Sequence, residues 1–243
     1  MKKFSCLMAA LFMCAGLLVG CQSNGESPAE TLSTSKSAIS IGTEMLATPE
    51  ELAGKMDVQN ISPYEGIYLE AGDEYKSRES NVYALKVTNN AEETILNAAL
   101  VYSDGTQKLT FYVEMLPVGK SVYVVERNKK TVVSEELTFV EGAVNYLEAG
   151  MENMECVEIT GTDESSLMIE NLTEEILPCV WIFYRKLHTD GTLLGGVCYS
   201  TMSGAIEAEE TIELEAESWM DTCVIVNVLV LDDPGALDDA LSQ

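Results

Sequence analysis

One stretch decides the fold class. Residues 109–116 read LTFYVEML, the turn PVG follows at 117–119, and VYVV occupies 122–125. Aromatic and β-branched residues of this kind favour strands, because their bulk packs well on a pleated sheet. The proline–glycine turn between the two runs then separates two predicted strands.

The same pattern extends outward along the chain from Ile61. Tyr83, Leu85 and Val87 alternate with less apolar neighbours, which is the period of a half-buried strand. Turn signals separate the runs, and they are Asn89-Asn90, Asp104-Gly105 and Asn128-Lys129-Lys130. Short strands at this spacing predict an all-β protein built as an antiparallel sandwich or barrel.

The second half of the chain repeats the first. Four residues recur 81 positions later: Asn90, Glu93, Ile95 and Leu96 become Asn171, Glu174, Ile176 and Leu177. Asp104-Gly105-Thr106 recurs 86 positions later as Asp190-Gly191-Thr192, which implies a five-residue insertion from Arg185 to Thr189. A repeat of this length predicts a duplicated small β-domain. At an offset of 81, however, Leu85 and Val87 align with Ser166 and Met168, so the inward faces of the two strands disagree.

This order of strands, Asn, acidic residue and Asp-Gly turn resembles the FxLYD-type and related immunoglobulin-like modules of exported bacterial proteins. The resemblance covers residues 62–139 and 156–231. It implies an all-β fold of two tandem immunoglobulin-like antiparallel β-sandwiches, one in residues 61–150 and one, with an acidic tail, in residues 151–243. It also implies a role in binding or spacing, and it carries no catalytic residues to transfer.

The N-terminus has the parts of an export signal. Lys2 and Lys3 precede an apolar run from Phe4 to Gly20, and Leu18-Val19-Gly20-Cys21 resembles the lipobox of bacterial lipoproteins. The resemblance implies that signal peptidase recognises Leu18, Val19 and Gly20, that residues 1–20 are removed, and that Cys21 is lipidated. A simple secretory signal is the alternative. The run is shorter than the ~20 apolar residues of a transmembrane helix.

This signal predicts a protein anchored by lipid to the extracytoplasmic face of the cell membrane, or to the outer membrane in a diderm host. Residues 22–47 are rich in Ser, Thr, Gly and Glu and predict a flexible tether. Thr48 as N-cap, Pro49 and Glu51 predict a short helix to about Met56. Residues 21–60 are therefore interpreted as the lipidated cysteine, the tether and this helix.

Composition limits the classes of partner. The formal net charge is −26, and removal of Lys2 and Lys3 makes it −28. Such a surface repels phosphate backbones, so nucleic acid is not an expected partner. Hydrophobic residues reach 47%, which is too many for a disordered chain.

Four cysteines follow Cys21, namely Cys156, Cys179, Cys198 and Cys223. They allow three complete disulfide pairings, and buried free thiols are the alternative. A two-residue turn at Asp190-Gly191 would place Cys198 opposite Phe183, which argues against a Cys179–Cys198 pair. The spacings lack the close pairs of a zinc site, so no metal is expected there.

The sequence contains no recognisable catalytic constellation. His188 is the only histidine and lies in the inserted hairpin loop, and no Gly-x-Ser-x-Gly elbow occurs. The paired glycines Gly195-Gly196 indicate a bulge in a strand. Carboxylates are plentiful but fall mostly in turns, so the protein is expected not to be an enzyme and to need no cofactor, with calcium as the one alternative.

Aromatic residues offer one candidate for surface contact. Trp181 and Phe183 are expected in a core. Trp219 follows an acidic run and could contact a sugar ring or a protein partner.

These observations predict a non-enzymatic binding or scaffolding module of the cell envelope. Its expected partners are membrane lipid through acylated Cys21 and an unidentified envelope protein or glycan. The alternative is an accessory or sensor subunit of an envelope transport or secretion complex, contacting its neighbours through residues Leu147 to Met154. A hydrolase with paired carboxylates is the third choice.

Overall fold

The computed structural model describes residues 43–68, 77–147, 153–162, 165–196, 198–216, 219 and 221–232. All of these residues belong to one compact unit. The predicted signal peptide, Cys21, the tether up to residue 42 and the acidic tail after Asp232 lie outside the described residues. Within the described part, no helix is long and apolar enough to cross a membrane.

The described residues of the N-terminal half, 43–68 and 77–147, form nine strands and one short helix. In order they are β1 (Thr43–Leu46), α1 (Pro49–Ala53), β2 (Met56–Asn60), β3 (Tyr64–Tyr68), β4 (Ser77–Val82), β5 (Ala84–Asn89), β6 (Ile95–Ser103), β7 (Lys108–Leu116), β8 (Ser121–Val125) and β9 (Thr138–Tyr146).

The C-terminal half, described over residues 153–232 with gaps, continues the β pattern. A 3₁₀ turn at Met154–Cys156 precedes β10 (Val157–Gly161), β11 (Ser166–Asn171), β12 (Val180–Lys186), β13 (Leu193–Leu194), β14 (Tyr199–Met202), β15 (Thr211–Glu215) and β16 (Cys223–Val230). The prediction of an all-β fold is thus confirmed.

The strands form five sheets among the described residues. Two four-stranded sheets, ordered β1-β9-β6-β7 and β13-β8-β5-β2, belong mainly to the N-terminal half, beside the two-stranded sheet β3-β4. Two three-stranded sheets, ordered β10-β11-β15 and β14-β12-β16, belong to the C-terminal half. Their inward faces form the core: alternate residues such as Leu85, Leu100 and Phe111 are at most 1% exposed.

The short helix begins as predicted and ends early. The Thr48 side chain accepts a hydrogen bond from the Glu51 amide, and the Glu51 carboxylate accepts one from the Thr48 amide, which completes the capping box. The helix ends at Ala53 rather than near Met56, because Met56 is already buried in β2 opposite Asn89.

The predicted tether is wrong over its last residues. Thr43–Leu46 pair with β9, with Leu46 opposite Gly142, and the Leu46 side chain is buried. One buried leucine and four paired residues fix this segment to the sheet, which a composition rich in small polar residues does not reveal.

Both halves contain the same hydrogen-bond pattern around one asparagine, but the equivalent residues lie 82 positions apart rather than 81. The Asn89 side-chain amide donates to the carbonyls of Glu93 and Leu116, while its oxygen accepts from the Ala91 amide. Asn171 repeats this pattern, donating to the carbonyls of Glu175 and Ile206 and accepting from the amide of the residue two positions on. Asn89, not Asn90, is therefore the equivalent of Asn171.

This register removes the mismatch of the inward faces. At an offset of 82, Leu85 aligns with Leu167 and Val87 aligns with Ile169, and all four side chains are at most 1% exposed. The two equivalent asparagines also close the same loop, because each holds the carbonyl four residues on and a second carbonyl farther along the chain, that of Leu116 at the end of β7 or that of Ile206 in an isolated bridge.

Candidate functional site: the junction between the two halves

The two halves share one hydrophobic core. The largest cluster of buried side chains contains Met115 and Val124 from the N-terminal half together with Phe183 and Leu229 from the C-terminal half. The C-terminal half also donates a strand: β13 pairs in parallel with β8, Leu193 opposite Val122. The halves are thus joined by side-chain packing and by backbone pairing.

Strand β12 makes this joint possible because both of its faces are apolar. Val180, Ile182 and Tyr184 point into the core of the C-terminal half. Trp181 and Phe183, on the other face, belong to the shared core, and their rings lie 4.9 Å apart. The prediction that these two aromatics are core residues is confirmed for Phe183, which is buried, while Trp181 is partly buried against the same cluster.

Arg185 follows them on the junction face and is 1% exposed. Its Nη2 donates to the Glu114 carbonyl in β7 at 2.6 Å, and its Nη1 donates to the Leu194 carbonyl in β13 at 3.1 Å. A buried guanidinium therefore bridges β12, β13 and the N-terminal half. From residue 148 to the C-terminus the sequence has only one other lysine or arginine, Lys186, which is also buried.

A glycine permits the closest backbone approach at the junction. A Cβ at Gly195 would lie 2.0 Å from the Tyr123 carbonyl oxygen, a distance that no side chain can occupy. The predicted bulge at Gly195-Gly196 is better described as the end of β13 against β8, followed by Gly196 with a φ of 87°.

The hairpin that carries the inserted residues ends in a polar contact with the N-terminal half. The Tyr123 hydroxyl donates to Asp190 Oδ2 at 2.5 Å, and His188 Nδ1 lies 3.1 Å from Asp190 Oδ1. The His188 ring meets the Tyr123 ring edge to face at 5.3 Å, and Lys86 Nζ lies 5.8 Å from the centre of the same tyrosine ring. These contacts thus attach the inserted hairpin of the C-terminal half to the N-terminal half.

Asp190 has an internal counterpart in the first repeat. Asp104 accepts hydrogen bonds from the Thr106 amide and from the Tyr83 hydroxyl, the latter at 2.7 Å. Tyr83 belongs to the same half as Asp104, whereas Tyr123 belongs to the opposite half from Asp190. Asp190 thus makes across the junction the contact with a tyrosine hydroxyl that Asp104 makes within its own half.

These hydrogen bonds set the acidity of the polar groups. The Tyr123 hydroxyl, with help from the Thr192 amide, holds the pKa of Asp190 well below its usual range. In return, the Asp190 carboxylate raises the pKa of Tyr123. These contacts hold the inserted hairpin against the N-terminal half.

The lowered pKa of Asp190 predicts that the junction loses stability in acid. A folded-state pKa below the unfolded value means that its contribution is present above about pH 4 and is lost as the pH falls toward the folded pKa. We expect Asp190→Asn to flatten the decline in stability between pH 5 and pH 2. Denaturant midpoints measured across this range check it, with Asp221→Asn at an exposed turn as the matched control. A control variant that flattens the curve equally would contradict the assignment to Asp190.

The remaining candidates fall elsewhere. Trp219 is partly buried: its ring meets Tyr184 edge to face at 5.4 Å and lies over Gly161, and the surface contact predicted for it stays a prediction. Leu147 is buried in the shared core, which removes it from the contact surface expected for a transport subunit. Leu18, Val19, Gly20 and Cys21 lie outside the described residues.

The four later cysteines are free thiols. In the ladder between β12 and β14, Phe183 lies opposite Ser200, so the expected position of Cys198 opposite Phe183 is wrong. The hairpin closes with the His188 amide donating to the Thr192 carbonyl and with Leu187 bridging to Leu193; the returning arm then pairs with β8 before it rejoins β12 as β14. Burial raises the pKa of Cys179 and Cys198.

Among the described residues, no three His, Cys, Asp or Glu side chains are grouped so that they could hold a metal ion. No protein family and no curated protein matches the sequence.

Proposed function

We propose that this chain is a bacterial lipoprotein, cleaved before Cys21 and held by its acylated cysteine on the extracytoplasmic face of the membrane. The support is the order of Lys2 and Lys3, the apolar run to Gly20 and the lipobox-like Leu18-Val19-Gly20-Cys21. Each acyl chain contributes about 0.8 kcal/mol per buried methylene, so more than one chain gives stable anchoring.

We further propose that its β-structure serves as a non-enzymatic binding or scaffolding module, built from two immunoglobulin-like units of the FxLYD type. The observation that carries this proposal is the shared core. Arg185 and the Asp190 hairpin fasten one half to the other, so loops on both halves keep a fixed relation to each other. A fixed scaffold that displays loops suits recognition of an envelope protein or a glycan.

Mass spectrometry of the protein extracted from membranes tests the anchoring. We expect a mature N-terminus at Cys21 carrying diacylglycerol and fatty acid, with metabolically supplied labelled palmitate incorporated. Cys21→Ser is the matched control and should release the protein from the membrane fraction without label. An unmodified Cys21, or a precursor that keeps residues 1–20, would contradict the proposal.

Recognition is tested separately from anchoring. Chemical crosslinking in intact cells, followed by purification of the anchored protein, should give a discrete set of envelope proteins or glycans, and this set should shrink with Cys21→Ser. Crosslinks distributed equally over abundant proteins in both strains would argue against a binding or scaffolding role.

A further inference from the structure

Strand β9 has an edge that is only partly used. Its pairing with β1 runs from Thr43 opposite Asn145 to Leu46 opposite Gly142, and there β1 ends. On this side, the earlier residues Thr138–Glu141 pair with no strand among the described residues. On their other side Thr138, Phe139 and Glu141 pair with β6, and Val140 is the extra residue of a bulge. A free edge of four residues presents backbone donors and acceptors that another extended segment can use.

An apolar cleft opens beside this free edge. It has a volume of about 420 Å³ and lies where the two sheets of the N-terminal half part, between α1, β2 and the start of β9. Its apolar walls are Leu52, Met56, Val58, Tyr102, Leu137 and Phe139. Tyr102 and Phe139 meet edge to face at 5.5 Å, and burial raises the pKa of Tyr102 to about 12, so its hydroxyl stays neutral.

Charge at the mouth of the cleft is negative. Asp57 is the only charged residue in its lining, and it is exposed. Glu50 is exposed on the neighbouring helix, whereas the Glu141 carboxylate is paired with Lys108 Nζ of β7 at 3.2 Å and adds no free charge. A ligand that enters here meets carboxylates at the rim and hydrocarbon inside.

We propose that this cleft binds an extended peptide segment of a partner protein, which adds a short strand to β9 at Thr138–Glu141. Alternate side chains of a strand point to the same face, so one apolar side chain would fill the cleft while the backbone pairs with β9. A lysine or arginine beside that side chain would meet Asp57. This inference rests on the binding function proposed above and names its partner class.

A synthetic probe tests it. The peptide Lys-Thr-Val-Thr-Val-Thr-Lys, labelled with a fluorophore, is titrated with the full chain carrying Cys21→Ser, and binding is read as polarisation. We expect saturable binding, and slowed amide hydrogen exchange confined to Thr138–Glu141 and the cleft. The same peptide with serine in place of valine should not bind, because it leaves the cleft unfilled.

Two variants and one control locate the binding. Ala53→Trp places an indole in the mouth of the cleft from an exposed position and should weaken binding at least about tenfold. Asp57→Lys should weaken it about threefold or more. Glu158→Lys is the matched control, since Glu158 occupies the equivalent exposed position in β10, with the same pattern of burial, and should leave binding unchanged.

Three outcomes would overturn the proposal: no saturable binding, equal weakening by Glu158→Lys, or protection at β1 or β15 instead of β9. Self-association that Ala53→Trp abolishes would also overturn it, by assigning the cleft to a second copy of the chain. The anchoring is independent of this assay, because Cys21→Ser is used throughout. If the titration fails while mass spectrometry of the unsubstituted protein finds lipid on Cys21, the peptide site alone is rejected and the anchoring stands.

Discussion

Arg185→Met is expected to lower the free energy of unfolding by about 3 kcal/mol or more. The substitution keeps an unbranched apolar stem but removes the donors to the Glu114 and Leu194 carbonyls. Each buried acceptor left without a partner costs about 1–3 kcal/mol. Replacing a buried charged residue by an apolar one can leave stability unchanged when its partners are replaced as well. Here the partners are backbone carbonyls, which no substitution removes.

Denaturant unfolding of the variant and two controls measures this effect. Arg185→Lys keeps the positive charge, but the lysine ammonium lacks the planar shape that lets the guanidinium donate to both carbonyls. It should therefore recover only part of the stability that Arg185→Met loses. Lys186→Met removes the next cation, which lies 5.6 Å from the centre of the Tyr199 ring, and should cost about 1 kcal/mol or less. Equal losses for Arg185→Met and Lys186→Met would show that Arg185 is not the bridge we describe.

Gly195→Ala is expected to be the second most damaging change. Its Cβ would lie 2.0 Å from the Tyr123 carbonyl oxygen, so β13 must move away from β8. Overpacking against a backbone atom cannot be relieved by a rotamer change, and we expect a loss of at least about 3 kcal/mol. The displaced hairpin should also lose the contact between Asp190 and Tyr123.

Gly204→Ala is the matched control for this change. A Cβ at Gly204 would meet nothing within 4 Å, and its backbone is not in the left-handed region. The same added methyl should therefore leave stability unchanged or raise it slightly. Thermal unfolding of the two variants side by side makes the comparison, and similar midpoints would contradict the close approach at Gly195.

Features that depend on residues close together in the chain could be predicted from the sequence. The aromatic and β-branched run at 109–116 predicted a strand that the structure contains, and Thr48 with Glu51 predicted the capping box. The Asp-Gly turns were also predicted, because Gly105 and Gly191 adopt positive φ values that favour glycine. Each of these features depends on residues within a few positions of each other.

Long-range contacts were not readable in the same way. The pair Asn89-Asn90 offers two candidates for one asparagine, and matching identities selected the wrong one, although the apolar faces of β5 and β11 agree only at an offset of 82. The junction was missed because Tyr123 and Asp190 lie 67 residues apart and Arg185 bonds to backbone carbonyls, which leave no trace in side-chain identity. The one available signal was the extra length of the second hairpin around residues 185–189, which is four residues at the corrected offset, because the Asp-Gly turns lie 86 positions apart and the asparagines 82.

If the two halves form one scaffold with a shared core, they should unfold together, and equilibrium unfolding measures whether they do. Both tryptophans, Trp181 and Trp219, lie in the C-terminal half, so their fluorescence reports that half while far-ultraviolet circular dichroism reports the whole chain. For the full chain with Cys21→Ser we predict coincident denaturant transitions, and for the same chain with Arg185→Met and Gly195→Ala we predict transitions that separate. A fluorescence transition already distinct from the dichroism transition before those substitutions would contradict the account.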